Sequence, residues 1–143
     1  MGLDLGIYTE KEINGTTVEE EICYGRKTWA IAYFFMKRCC NQEEYVFPVT
    51  KKAWDEFISK VKPYAENENF VKMIEEYNEF SDEASWEIEN IFECFLDEAL
   101  ENDEPYTLGP AWEARVVIDW YEANETIQKL FNDDAPVLMY VSY

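Results

Sequence analysis

Glu89, Glu93, Asp97 and Glu101 recur at every fourth position, with Asp82, Glu83, Glu87 and Glu98 beside or flanking them. On a helix this spacing stacks the four carboxylates into one nearly straight row, adjacent members about 6 Å apart along the axis. Carboxylates so placed can hold a divalent cation, run acid–base hydrolysis in pairs, or present a line of negative charge to a cationic groove. They can also be only the solvated face of an amphipathic helix. Such faces normally mix signs, because Glu-to-Lys pairs at this spacing stabilise a helix, whereas like charges cost roughly 0.2–0.5 kcal/mol per pair. Here the basic partners are missing. Trp86 lies off the apolar stripe beside Glu83 and Glu87, where an exposed indole makes a hot spot against a basic, apolar-edged partner. The expected partner-binding residues are therefore Glu89, Glu93, Asp97 and Glu101, with Glu87, Asp82, Glu83 and Trp86 in support.

Most other chemistries lack their residues. The chain has no His, which removes Ser-His-Asp and Cys-His nucleophiles and His-containing zinc sites. Di-iron carboxylate bundles need Glu-x-x-His, and no acidic loop carries the Gly and Glu spacing of an EF-hand. No P-loop, GxGxxG or GxSxG pattern occurs, and only five Gly are present to build phosphate-cradling loops. Cys23, Cys39, Cys40 and Cys94 form no CxxC pair and read as buried or half-buried free thiols. Lys37 and Arg38 beside Cys39-Cys40 are compatible with an activated thiol, or with nothing more than a half-buried helix end. The sequence thus assigns no catalytic residue, no metal ligand and no cofactor. A carboxylate- or divalent-metal-dependent hydrolase stays open as an alternative.

Charge narrows the partner. The chain has 143 residues, 31 acidic and 12 basic, for a net charge of −19. Residues 66–104 hold fifteen acids and one base, Lys72, and so carry −14 of it. A protein of this sign repels phosphate backbones and anionic headgroups, so a basic protein surface is expected, with neither direct nucleic-acid nor membrane binding. Aromatics make up 17% of the chain, unlike disordered acidic segments, which are poor in them. A folded single domain spanning 1–143 is expected. The opening residues lack a secretory signal and the longest apolar run covers residues 29–36, which points to the cytoplasm.

The positioning elements read as α+β, a small mostly antiparallel sheet packed against about five helices. Leu3, Leu5 and Ile7 alternate as a strand, and Asn14-Gly15 signals a hairpin returning through residues 18–24, where Glu19, Glu20 and Glu21 suit a protected edge. Residues 29–36 read as a buried helix with cations at its end. A short strand at residues 45–49 precedes a helix that Thr50 caps and Pro63 should end. Further helices carry Phe70, Val71, Ile74 and Tyr77, then residues 82–101, then residues 112–131 as one helix with Val116, Val117, Trp120, Tyr121, Ile127 and Phe131 inward. Residues 137–143 form a terminal strand. Most of the Trp residues fall on these apolar stripes and read as core.

Several segments together resemble a family. Met1-Gly2-Leu3-Asp4-Leu5-Gly6-Ile7-Tyr8 is similar to the MGLDMYLY-type opening of small uncharacterised proteins found in bacteriophages and prophages. The resemblance continues through Tyr24-Gly25-Arg26-Lys27-Thr28-Trp29-Ala30, the Tyr45-Val46-Phe47-Pro48-Val49 strand and the aromatic close, Leu138-Met139-Tyr140-Val141-Ser142-Tyr143. Where that family has Ile-His-x-Trp-Phe, this chain has Ile31-Ala32-Tyr33-Phe34-Phe35, so no His-dependent role carries over, and the acidity of residues 66–104 is this chain's own. The resemblance implies a phage setting, and no activity. A phage setting and an acidic row lead to one expectation by analogy: a DNA-mimicking inhibitor of a nucleic-acid-binding host or defence protein, an anti-CRISPR for example. A self-associating phage structural or assembly protein is the alternative from a different class.

Overall fold

The tight turn at Asn14-Gly15 organises the sheet. Both residues take positive φ, 54° and 80°, as a type I′ hairpin turn requires, and Ile13 faces Thr16 across it. The structure is a computed structural model, and it describes residues 4–26, 29–39, 45–76 and 110–142. The turn joins β1 (Asp4–Ile13) to β2 (Thr16–Arg26). Along β1, Leu5, Ile7 and Thr9 are buried on one face, the period-two pattern of a strand with one face on a core. Thr9 satisfies its hydroxyl by donating to the Pro136 carbonyl at 2.6 Å.

With β3 (Val46–Pro48) and β4 (Leu138–Ser142), these strands form an antiparallel sheet in the order β2-β1-β4-β3. Five described helices accompany it: α1 (Trp29–Cys39), α2 (Lys51–Ala65), α3 (Glu68–Glu76), α4 (Pro110–Glu122) and α5 (Asn124–Asn132). The fold is α+β, with the N-terminal hairpin and the C-terminal strand in one sheet. Among the described residues, no helix is long and apolar enough to cross a membrane.

The core lies between the Leu5, Ile7, Phe47, Met139 and Val141 face of the sheet and the helices. Its centre is aromatic. Phe35, Trp54, Phe57 and Trp120 are fully buried, with Phe35 and Trp54 stacked at 6.1 Å and Trp54 and Phe57 tilted at 5.3 Å between ring centroids. Each such pair adds about 0.5–1.5 kcal/mol beyond its buried area. Neither indole leaves its N–H stranded: Trp54 donates to the Asn124 side-chain oxygen at 2.8 Å, and Trp120 to the Tyr24 carbonyl at 3.0 Å.

Thr50 caps α2 as expected, its hydroxyl accepting from the Ala53 N–H. Asn67 does the same for α3 through the Phe70 N–H. Arg38 ties α1 to α2, donating to both carboxylate oxygens of Glu56 at 3.0 Å while its guanidinium lies 3.7 Å from the Phe34 ring centroid. That guanidinium, donating a hydrogen bond, holds the Glu56 carboxyl below its ordinary range.

Two expectations need correction. Pro63 does not end α2, which runs on to Ala65. Its missing N–H would have served the carbonyl four residues earlier, at exposed Ser59, where water can take that role, and the Glu66 N–H closes the helix on Lys62. Residues 112–131 are not one helix either. The chain breaks between α4 and α5 at Ala123, whose N–H bonds to the Trp120 carbonyl three residues back. The break sets Asn124 against the Trp54 indole. The expected helix over residues 82–101 lies outside the described residues.

Candidate interaction surface

None of Asp82, Glu83, Trp86, Glu87, Glu89, Glu93, Asp97 and Glu101 falls among the described residues. The described surface nevertheless carries a second acidic array, and the β-hairpin builds it.

β4 pairs with β1 only from Asp4 to Tyr8. Beyond that point β1 and β2 run on as a two-stranded arm, and residues 10–20 are all exposed. Register decides which side chains share a face. Glu10 stands opposite Glu19, Glu12 opposite Thr17, and Tyr8 opposite Glu21. Residues directly opposite point the same way, so Glu10, Glu12, Glu19 and Glu21 crowd one face with no base among them. Like charges directly opposite each other destabilise a sheet, so the Glu10–Glu19 pair carries a local cost. The reverse face is mixed: Lys11 pairs with Glu20, and Ile13 and Val18 are exposed.

A β-bulge divides this arm from the body. Ile7 faces Cys23 and Tyr8 faces Glu21, so Ile22 is an extra residue on β2. Cys23 thereby turns toward the core, where burial pushes its thiol well above the ordinary value and makes it a poor nucleophile. Glu21, opposite Tyr8 in the register that the turn sets, stays on the outer face.

Toward the body, the acidic face continues as tyrosines. Tyr24 and Tyr140 both face Gly6, one from each side. A Cβ at Gly6 would lie 2.7 Å from the Tyr140 ring and 2.8 Å from its hydroxyl, so glycine is what lets that ring lie over the strand. Tyr140 donates to Glu21 at 2.9 Å and Tyr24 to Asp4 at 2.7 Å, while Tyr8 lies 6.2 Å from Tyr140. All three phenols are shifted up. For Tyr140 burial is the main cause, followed by the bond to Glu21. For Tyr8 it is burial, then the charges of Glu19 and Glu10; for Tyr24, the bond to Asp4. In each case a carboxylate of the same face adds to the shift.

Two concavities accompany this surface. A cleft of about 220 Å³ between α3 and α4 is lined by Val71, Ile74, Glu75, Arg115, Ile118 and Asp119, with Glu122 at its side. Burial and the neighbouring Glu122 raise the Asp119 carboxyl pKa, and Arg115 donates to the Ile74 carbonyl. Its volume falls below the roughly 300–1,000 Å³ typical of ligand sites. A shallow hollow of about 440 Å³ at the β3 edge is lined by Tyr45, Val46, Tyr140, Val141 and Ser142. At the end of α1, Cys39 lies half-buried, its sulfur 3.9 Å from the Thr50 hydroxyl. Among the described residues, no group of three or more Cys, Asp or Glu is placed to hold a metal ion.

Glu19, Glu20 and Glu21 are recognisable in the sequence as edge charges, and β2 is an edge strand. Glu10 and Glu12 escape that reading, although counting outward from a two-residue Asn14-Gly15 turn places Glu10 opposite Glu19. The tyrosine cluster has no such signal, because it joins residues from both ends of the chain. Comparison with protein-family models, with curated proteins and with solved structures finds no match for this chain.

Proposed function

We propose that this chain is a non-enzymatic, phage-encoded binding protein that engages the basic surface of a nucleic-acid-binding host or defence protein and inhibits it in the manner of a DNA mimic. The observation that carries the proposal is unbalanced negative charge. Residues 66–104 hold fifteen acids against one base, and the outer face of the arm adds four glutamates with no base among them. Mixed signs would stabilise the elements that carry them, whereas like charges cost them stability. A surface that keeps like charges together at a local cost suits a Lys/Arg-lined groove, where it accelerates encounter and excludes anionic competitors. The phage setting comes from the resemblance of the N-terminal segment.

The test is capture from host lysate at low and high salt, with the natural protein and a Glu89/Glu93/Asp97/Glu101→Gln variant in parallel. The expected result is a nucleic-acid-handling protein held by the natural chain alone, released by salt, and unable to bind its nucleic acid while held. Equal capture by both proteins, or capture of nothing, would overturn the proposal.

A second reading, self-association in a phage assembly, has one observation in its favour. Tyr45 and Val46 are exposed beside the β3 hollow. It predicts a concentration-dependent oligomer that survives high salt, checked by sedimentation.

A further inference from the structure

β2 is the outermost strand of the sheet, and among the described residues no strand lies on its far side. Its body end is covered, since the Trp120 indole donates to the Tyr24 carbonyl. Residues 16–21 remain as an exposed edge. The type I′ turn settles which backbone groups face outward there. A two-residue turn closes on Ile13 and Thr16 as a mutually hydrogen-bonded pair, and antiparallel pairs then alternate between bonded and non-bonded. Thr17, opposite Glu12, and Glu19, opposite Glu10, fall on non-bonded pairs, so their N–H and C=O groups point away from β1. These are the groups a fifth strand would use.

Charge determines what that strand can be. A second copy of β2 would set glutamates against glutamates, the arrangement that protects edges from self-pairing. A strand bearing Lys or Arg at alternate positions would meet Glu19 and Glu21 on the outer face. Its intervening apolar residues would fall beside Val18, which is 41% exposed on the reverse face. The other side of the arm offers a shorter run, because β4 occupies β1 as far as Tyr8 and the Thr9 hydroxyl bonds to Pro136, which leaves only residues 10–13.

We infer that residues 16–21 of β2 accept, as a fifth strand, an extended segment of a partner protein in which Lys or Arg alternates with apolar residues. The inference rests on the basic-partner reading above and locates one contact of that partner on the arm.

The probe is a short capped peptide alternating Lys and Val, with a Glu-Val peptide as control, and the readout is amide hydrogen exchange of the full chain. The Lys-Val peptide should bind and slow exchange at the Thr17 and Glu19 amides, and the Glu-Val peptide should do neither. Thr17→Pro removes one outward N–H without changing charge and should abolish binding. A Glu19→Gln/Glu21→Gln variant keeps both outward amides and should bind on the order of tenfold more weakly while still showing their protection. Binding to Thr17→Pro as strong as to the natural chain, or binding that leaves the two amides unprotected, would overturn the strand-addition proposal and leave the basic-partner reading intact. No binding of the Lys-Val peptide would also overturn it. Protection that appears without peptide and grows with protein concentration would assign the edge to a second copy, again overturning the proposal.

Discussion

β2 and β3 both border the sheet, yet they are guarded by different means. β3 is three residues long and ends in Pro48, which has no N–H to offer, so it gives little purchase to a strand of any composition. β2 is eleven residues long and keeps its outward backbone groups, relying on glutamates instead. Shortness and proline reject every comer, whereas charge rejects only its own sign. The difference teaches that a charged edge is a filter, and a filter has a preferred passenger.

Trp120→Ala should have the largest effect on both edges, because Trp120 packs on Phe35 and Phe57 and also anchors β2 at Tyr24. A loss of about 3–5 kcal/mol is expected in denaturant unfolding. If hydrogen exchange rises in β2 alone, with β3 unmoved, the two edges do not share one core. Gly6→Ala strikes between them. The new Cβ would lie 2.9 Å from the Cys23 carbonyl as well as against Tyr140, and backbone cannot step aside, so about 1–3 kcal/mol should be lost, read from thermal melting.

Tyr140→Phe is a finer cut, because this side chain stands beside β3 and reaches across β1 to Glu21 of β2. At neutral pH it should cost about 1 kcal/mol. The folded state holds the Tyr140 phenol above its ordinary value of 10.0, so its contribution is complete below that pH and is lost as pH rises toward the folded value. Tyr8, Tyr24 and Tyr121 shift in the same direction. An alkaline titration of stability should therefore fall above about pH 10, and less steeply in the Phe variant. The smallest effect sharpens the contrast most. Glu19→Lys turns the like pair with Glu10 into an opposite one and should raise stability by about 0.2–1 kcal/mol, seen as slower exchange along the arm. A loss of stability instead would mean that the acidic pair carries no local cost.

Elements governed by local chemistry were legible in the sequence. Asn14-Gly15 marks its turn because few other residues tolerate positive φ, Thr50 marks the start of α2 through its hydroxyl, and the apolar spacing of Trp54, Phe57 and Val61 marks its buried face. Elements governed by tertiary contact were not. The break at Ala123 follows from placing Asn124 on the Trp54 indole, a contact spanning seventy residues, and no periodicity signals it. The survival of α2 past Pro63 depends on the solvent exposure of one turn. The acidic arm was half legible: its charges and turn are plain, but the bulge at Ile22, which aims Cys23 inward and Tyr24 at the outer face, leaves no compositional trace. The row from Glu89 to Glu101 remains a property of the sequence.

That bulge also divides the hairpin into two parts with separate duties. On one side, Leu5, Ile7 and Cys23 belong to the body and tolerate little change. On the other, residues 10–20 lie outside the core cluster, and their positions follow from their own turn and ladder. The arm is therefore an exchangeable module: a hairpin of the same length and turn, carrying different charges, should replace residues 10–20 while the body folds as before.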